Sequence, residues 1–398
     1  MRNIAGPPAE GDDFFDRESE LSRVRRNLAN QANLLLVAPR RVGKTSFTLR
    51  LCEAWAEDTG RATYFNVEGC GDEIDFAQTL IDSLQKAGVE PDFLPKLAEG
   101  FRRFRRAVSG VKVGVGVNVE LSEVPDLDNT TLDRLLENIL ERVERKGEPI
   151  LIAIDELPEL LLTIARQEEG ADRVSRFLHW LRSVRQTYRK HVRWMFLGSI
   201  GLDSFVDERN MRKTISDLTT VTLGEFDPKV ADEFLEKLGD ANGLPLNAEV
   251  RAAILQKVGW ALPYHLQLIF HALADLEVVA VEIEHVDAAI EHLLGPENVG
   301  HFETWRQRLV DQFSKADADA ARGILKLLCE SPEGKSRAKI LDGLARDAGP
   351  TMEIDVIEKR VADLLPILLR DGYVAESDGS YQFRSFLLRE YWFRREIR

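Results

Sequence analysis

Before residue 225, short runs of apolar residues alternate with stretches whose apolar positions recur every three or four residues. The runs are Leu34–Val37, Arg61–Val67, Ile150–Ile154, Arg193–Ser199 and Thr220–Leu223. Each is too short for a free helix and suits a strand. Ile150–Ile154 is unbroken by any polar residue and preceded by Pro149, as expected of a parallel strand buried on both faces. Helical spacing fills the gaps: Thr45 to about Trp55, Asp75 to Lys86, and a longer segment holding Phe177, Leu178, Trp180, Leu181 and Val184. Strands alternating with helices predict an α/β sandwich around a parallel sheet.

After Glu225-Phe226-Asp227 the strand signal stops. Short helices follow, at Lys229–Leu235, Ala248–Val258 and Tyr264–Leu276, and Gly295-Pro296-Glu297-Asn298-Val299-Gly300 reads as a linker. Beyond it come helices at Phe302–Phe313, Ala320–Glu330, Arg337–Arg346 (capped by Ser336) and Glu353–Arg370. A hairpin with strands at Tyr373–Ala375 and Tyr381–Phe383 closes the series, which fits a winged helix. The expected division is a flexible lead over 1–13, a core over 14–227, a helical segment over 228–295 and a winged-helix domain over 296–398.

Chemistry enters where the first strand ends. Ala38-Pro39-Arg40-Arg41-Val42-Gly43-Lys44-Thr45-Ser46 is a near-complete phosphate-binding P-loop. Successive backbone N–H groups would wrap a β-phosphate, Lys44 would reach the β/γ oxygens, and the Thr45 hydroxyl would ligate Mg²⁺. The helix that follows aims its positive end at the anion. Ala38 replaces the usual first glycine, a strain only if that position needs positive φ. The Ile150–Ile154 strand ends in Asp155-Glu156, which looks like a Walker B pair: Asp155 for the Mg²⁺ shell and Glu156 to polarise the attacking water. Ser199, at the end of the next strand, lies where a polar group could sense a γ-phosphate, although serine is equally at home in a turn there. Arg209 and Arg212 follow in the loop where an arginine for a neighbouring subunit's γ-phosphate is commonly found, with Arg212 the better placed. His265 reads as a half-buried packing residue.

These features resemble a known group. Phe14-Phe15-Asp16-Arg17-Glu18-Ser19-Glu20-Leu21 looks like the Phe-x-x-Arg-Glu-x-Glu-Leu motif that precedes the P-loop in archaeal-type ATPases of the AAA+/STAND P-loop NTPase group. Gly259-Trp260-Ala261-Leu262-Pro263-Tyr264-His265-Leu266-Gln267 resembles that group's Gly-x-Pro-Tyr-x-x-Gln lid signature with one extra residue, and Tyr381–Trp392 resembles its winged-helix ending. The resemblance implies a parallel sheet of order 5-1-4-3-2, a helical lid and a C-terminal winged helix. It also implies adenine nucleotides as ligands, with Phe15 and Arg17 near adenine and ribose and Pro263 approaching from the lid. Such proteins usually switch between a closed ADP form and an open or oligomeric ATP form.

Composition narrows the remaining choices. The 398 residues are 44% apolar and 30% charged, too many for one ordinary core and enough for two or three domains. No membrane-spanning run is present, the first residues are not a secretory signal, and Cys52, Cys70 and Cys329 lack metal or disulfide spacing, so a cytoplasmic protein is expected. A net charge of −14 repels phosphate backbones, and the presumed third helix of the winged domain is acidic, with Ile354, Ile357, Val361, Leu364 and Leu365 as its packing face. The basic patch Arg102-Arg103-Phe104-Arg105-Arg106 stands before a strand or hairpin inserted at about 107–123, where valines alternate with polar residues and glycines. It suits nucleic acid, a neighbour's acids, or simply solvent. The reading is a Mg²⁺-dependent ATP-binding protein, a slow ATPase acting as a conformational switch, with a homo-oligomer or protein partner. An ATP-gated DNA-binding protein is the alternative, and a nucleotide-bound interaction scaffold the third.

Overall fold

The apolar runs of the first half form one parallel sheet. In a computed structural model, which describes residues 1–89, 129–198, 201–298, 300–348 and 353–396, α1 (Glu18–Ala29) leads to β1 (Asn33–Val37), α2 (Lys44–Thr59), β2 (Arg61–Asn66) and α3 (Glu73–Lys86). Then come α4 (Asn129–Lys146), β3 (Ile150–Asp155), α5 (Leu157–Ala165), α6 (Gly170–Thr187), β4 (Val192–Phe196), α7 (Leu202–Glu208) and β5 (Leu218–Thr222). The strands lie in the order β2-β3-β4-β1-β5, which is the expected 5-1-4-3-2 read from the other edge. All pairings are parallel, with Asn66 opposite Asp155, Ile150 opposite Val192, Leu34 opposite Met195 and Asn33 opposite Leu218. Every residue of β3 and β4 is buried, which explains why their sequence shows runs without alternation.

Two compact units account for the contacts: Arg17–Val37 with Thr45–Thr222, and Met1–Asp16 with Ala38–Lys44 and Leu223–Arg398. In the first, Phe76 of α3 meets Phe177 of α6 edge-on at 4.9 Å, and Trp180 stacks on Phe177 at 6.0 Å. Asp72 caps α3 by accepting from the Ile74 and Asp75 N–H groups, and Arg173 of α6 pairs with Glu73. Arg193 of β4 is 4% exposed and donates to the Leu28 and Lys190 carbonyls near the ends of α1 and α6. Burial in these surroundings holds its pKa below the usual guanidinium value.

The second unit is helical: α8 (Pro228–Ala241), α9 (Ala248–Val258), α10 (Pro263–Ala274), α11 (Ile283–Leu293) and α12 (Gly300–Gln312). Next, α13 (Lys315–Cys329), β6 (Lys335–Ser336), α14 (Arg337–Ala348), α15 (Ile354–Arg370), β7 (Val374–Ser377) and β8 (Ser380–Phe383) follow, with α16 (Phe386–Glu396) last. The small sheet has the order β6-β8-β7 and is antiparallel, with β7 and β8 forming the expected hairpin. Its interior is aromatic. Trp305 meets Tyr373 at 5.2 Å, Tyr373 meets Trp392 at 5.9 Å, and the Tyr373 hydroxyl donates to the Trp305 carbonyl at 2.7 Å. Arg308 and Asp371, both 4% exposed at the side chain, pair at 3.3 Å. Gly372, at φ +85°, lies against Trp260 so closely that a Cβ there would stand 2.3 Å from the indole.

Several expectations need amendment. Ile354 is 66% exposed, because it opens α15 before the helix reaches the core; Ile357, Val361, Leu364 and Leu365 do pack. His265 is fully buried, not half-buried, since α10 is enclosed around nearly all its circumference. Within the first residues, Arg2 pairs with Asp13, and the Ile4 N–H donates to Gln267 Oε1 at 2.6 Å. The presumed linker contains a 3₁₀ turn, Pro296–Asn298. The basic patch at 102–106, the inserted strand at about 107–123 and Ser199 lie outside the described residues.

Candidate functional site

In the sheet-bearing unit, β3 delivers Asp155 to a buried position, 3% exposed, at the carboxyl end of the sheet. Its Oδ2 accepts from the Thr45 hydroxyl at 3.1 Å and from the Tyr64 hydroxyl at 2.8 Å. Its Oδ1 accepts from the Glu156 N–H at 2.9 Å. Three donors fix the carboxylate plane. Tyr64 is held protonated, its pKa pushed up first by burial and then by the Asp155 charge. Sequence reasoning missed Tyr64; the strand register supplies the only signal, since β2 and β3 run parallel from Arg61–Ile150 to Asn66–Asp155. Glu156 follows in left-handed conformation at φ +59°, as the residue capping α5. Such a backbone costs a glutamate about 1 kcal/mol and turns the chain sharply between strand and helix.

The loop ahead of Thr45 belongs to the helical unit. Ala38 is not among the residues with positive φ, so its methyl group strains nothing. The left-handed positions are Arg41, at φ +65°, and Gly43, at φ +93°; glycine is the natural residue at the second. Lys44 is 9% exposed, and its Nζ donates to the Ala38 and Pro39 carbonyls at 3.3 and 3.1 Å. The ammonium thus curls back over its own loop. Val42 is buried, while Pro39 and Ser46 are half-buried.

Arg40 donates to the Thr304 carbonyl of α12 at 3.2 Å. The Arg41 guanidinium lies over the Tyr264 ring, 4.3 Å from its centroid. Tyr264 in turn shares a 2.9 Å hydrogen bond with His301 Nδ1 on α12. Burial, then the nearby Arg41 charge, lowers the His301 pKa. Neither of these partners was foreseen from the sequence. Pro263 opens α10 at its first turn, where its missing N–H costs nothing, and Gly259 ends α9 in left-handed conformation at φ +68°. Phe15 packs edge-on against Phe226 and Phe234, at 5.9 and 5.3 Å, with the Lys237 ammonium over its ring.

Arg17, 5% exposed, caps α1 and pairs with Glu20 at 2.9 Å in the sheet-bearing unit. Arg212 is 62% exposed at the side chain and reaches Asp207 at 2.6 Å. Arg209 lies over Phe205 instead. The oxygen donors Thr45 and Asp155 suit a hard cation that keeps waters and substrate phosphates as its other ligands. Among the described residues, no group of three or more His, Cys, Asp or Glu could hold a metal by itself. No helix among them is long and apolar enough to cross a membrane.

No protein-family model matches this sequence, and no curated protein does. Solved structures are similar to it. A Walker-type ATPase of Pyrococcus abyssi superposes with a TM-score of 0.65 at 16% identity, covering 98% of this chain and 99% of its own. The ORC2 protein of Aeropyrum pernix, in ADPNP–ADP complexes, superposes at 0.58 and 11% identity, covering 96% and 95%. With the P-loop between β1 and α2, the sheet order and the end-to-end coverage by these two structures, the chain has the fold of the archaeal AAA+-type P-loop ATPases.

Proposed function

We propose that this protein binds ATP with Mg²⁺ and hydrolyses it slowly, as a conformational switch. The observation that carries the reading is Asp155, buried at the end of β3 and hydrogen-bonded to Thr45, the residue that directly follows Lys44 in α2. Chain continuity therefore links a phosphate-binding lysine to a hydroxyl and carboxylate suited to magnesium. In this reading the backbone N–H groups of Ala38 to Lys44 cradle the phosphates and Lys44 neutralises them. Thr45 and Asp155 hold Mg²⁺, which when bound offsets the charge on the β- and γ-phosphates. Glu156 orients and polarises the attacking water. Phe15, with Phe226 and Phe234 beside it, offers an apolar aromatic surface for adenine, and Pro263 is assigned to the same base. Arg212 is the arginine assigned to a neighbouring subunit's γ-phosphate; its exposure supports that role, which makes the active form a homo-oligomer.

Phosphate release by wild type, Lys44→Ala and Glu156→Gln, measured across protein concentration and with or without duplex DNA, tests the reading. Turnover that rises with protein concentration, is lost in Lys44→Ala, and is lost in Glu156→Gln with ATP binding intact supports the oligomeric switch. Stimulation only by DNA favours an ATP-gated DNA-binding protein. Nucleotide binding without turnover in any protein leaves an interaction scaffold.

A further inference from the structure

We infer that Tyr264 is a positioning residue for the phosphate-binding loop, acting through Arg41, so that α10 and α12 set the loop's competence for nucleotide. This rests on the reading of that loop as an ATP site. Arg41 occupies the left-handed region at φ +65°, which an arginine adopts only when its surroundings hold it there. The hold is visible: the guanidinium lies 4.3 Å from the centroid of the ring of Tyr264, a residue only 8% exposed. Tyr264 is itself fixed by its hydrogen bond to His301, and three residues further along α12 the Thr304 carbonyl receives Arg40. Two consecutive loop arginines are thus anchored to one helix, one directly and the other through an aromatic ring.

A loop fixed before its ligand arrives binds more tightly than one that must be ordered on binding. Removing the ring frees the Arg41 side chain and lets the backbone leave positive φ, which disperses the N–H groups that converge on phosphate. The tyrosine also gives the helices a lever on the loop, because any movement of α10 against α12 changes the surface under the guanidinium. The ring face carries the contact with Arg41, and the hydroxyl bond to His301 steadies the ring.

The test compares wild type with Tyr264→Leu, Tyr264→Phe and Arg41→Gln. Amide hydrogen exchange is read on peptides spanning residues 38–46 in the protein without nucleotide, and the dissociation constant for Mg-ATP is read by calorimetry. Tyr264→Leu and Arg41→Gln should each speed exchange of the loop peptide, leave the β3 and β4 peptides unchanged, and weaken Mg-ATP about tenfold. Tyr264→Phe, which keeps the ring and loses only its bond to His301, should show a clearly smaller defect than Tyr264→Leu on both. Loop exchange unaltered in both Tyr264→Leu and Arg41→Gln overturns the inference, and so does a Tyr264→Phe defect as large as that of the leucine variant. If Tyr264→Leu speeds exchange throughout the chain, Arg41→Gln decides alone, because it removes the cation from the loop side. A wild type that binds no ATP refutes the nucleotide reading, while the exchange data still judge the clamp.

Discussion

Replacing His265 with leucine should abolish a loss of stability that the wild-type protein suffers in mild acid. The imidazole is fully buried in α10 among the rings of Trp260, Tyr264 and Phe302. Burial lowers its pKa from 6.5 to about 4; a hydrogen bond with the Trp260 backbone opposes the shift and the Arg41 charge reinforces it. The unfolded chain therefore takes up the proton before the folded one does. Stability from this residue is complete above pH 6.5 and drains away as the pH falls toward the folded value. Linkage puts the loss at about 2 kcal/mol by pH 5 and about 3 kcal/mol by pH 4. At neutral pH the leucine, of similar volume and with no ring nitrogen to satisfy, should change stability by less than about 1.5 kcal/mol. The assay is native-state hydrogen exchange on α10 peptides at several pH values, corrected for intrinsic exchange rates, with β3 peptides as the control. The wild-type opening free energy should drop by about 2 kcal/mol more than that of His265→Leu between pH 7.5 and pH 5. Parallel pH profiles for the two proteins would refute the reasoning, since they would mean that the buried imidazole accepts its proton without cost.

Other perturbations follow from the same geometry. Lys44→Ala should weaken ATP binding by about one to two orders of magnitude in calorimetry while leaving thermal unfolding nearly unchanged, because a charge-assisted contact to phosphate is removed from a loop. Tyr64→Phe should raise the Mg²⁺ concentration needed for half-maximal nucleotide binding by about tenfold, as the Asp155 carboxylate loses an orienting donor; unchanged Mg²⁺ dependence would show that Thr45 and the backbone suffice. Gly372→Ala should cost about 3 kcal/mol or more in urea unfolding of the helical unit, because a Cβ at that left-handed position drives into Trp260. Asp217→Ala should destabilise the edge of the large sheet by about 3 kcal/mol, leaving Arg185, 2% exposed, without the carboxylate it pairs with at 2.9 Å.

Legibility in the sequence followed the range of the forces involved. β1 and β3 announce themselves because a strand buried on both faces is apolar along most of its length, and a charged residue marks where each run stops. Asp155, which ends β3, and Lys44, in the loop after β1, stand out as candidates for that reason. Tyr64 was not, because its alternation with Thr63 and Phe65 looks like any half-buried strand until the register sets its hydroxyl against Asp155. The Arg41–Tyr264 stack joins residues more than two hundred positions apart, and no local pattern encodes which ring a given guanidinium will meet. His265 was underestimated because a histidine on a helix that also carries Gln267 and His271 suggested a partly solvent-facing position, which tertiary packing closed. Ile354 failed in the opposite direction: helical periodicity assigned it to the core, but the first turn of α15 overhangs it.

The pairing of β1 has a consequence for how the protein is made. Both neighbours of this central strand come from far downstream: β4 pairs with it at Leu34–Met195 and β5 at Asn33–Leu218. During synthesis, β1 leaves the ribosome with two unsatisfied edges and stays so until β4 and β5 follow, a delay on the order of ten seconds or more at ordinary translation rates. The nascent chain meanwhile displays Leu34-Leu35-Leu36-Val37, an apolar strand with open hydrogen-bonding groups on both sides. Expression yield should therefore depend on translation speed and on chaperones that shield nascent chains, more than on the stability of the finished sheet.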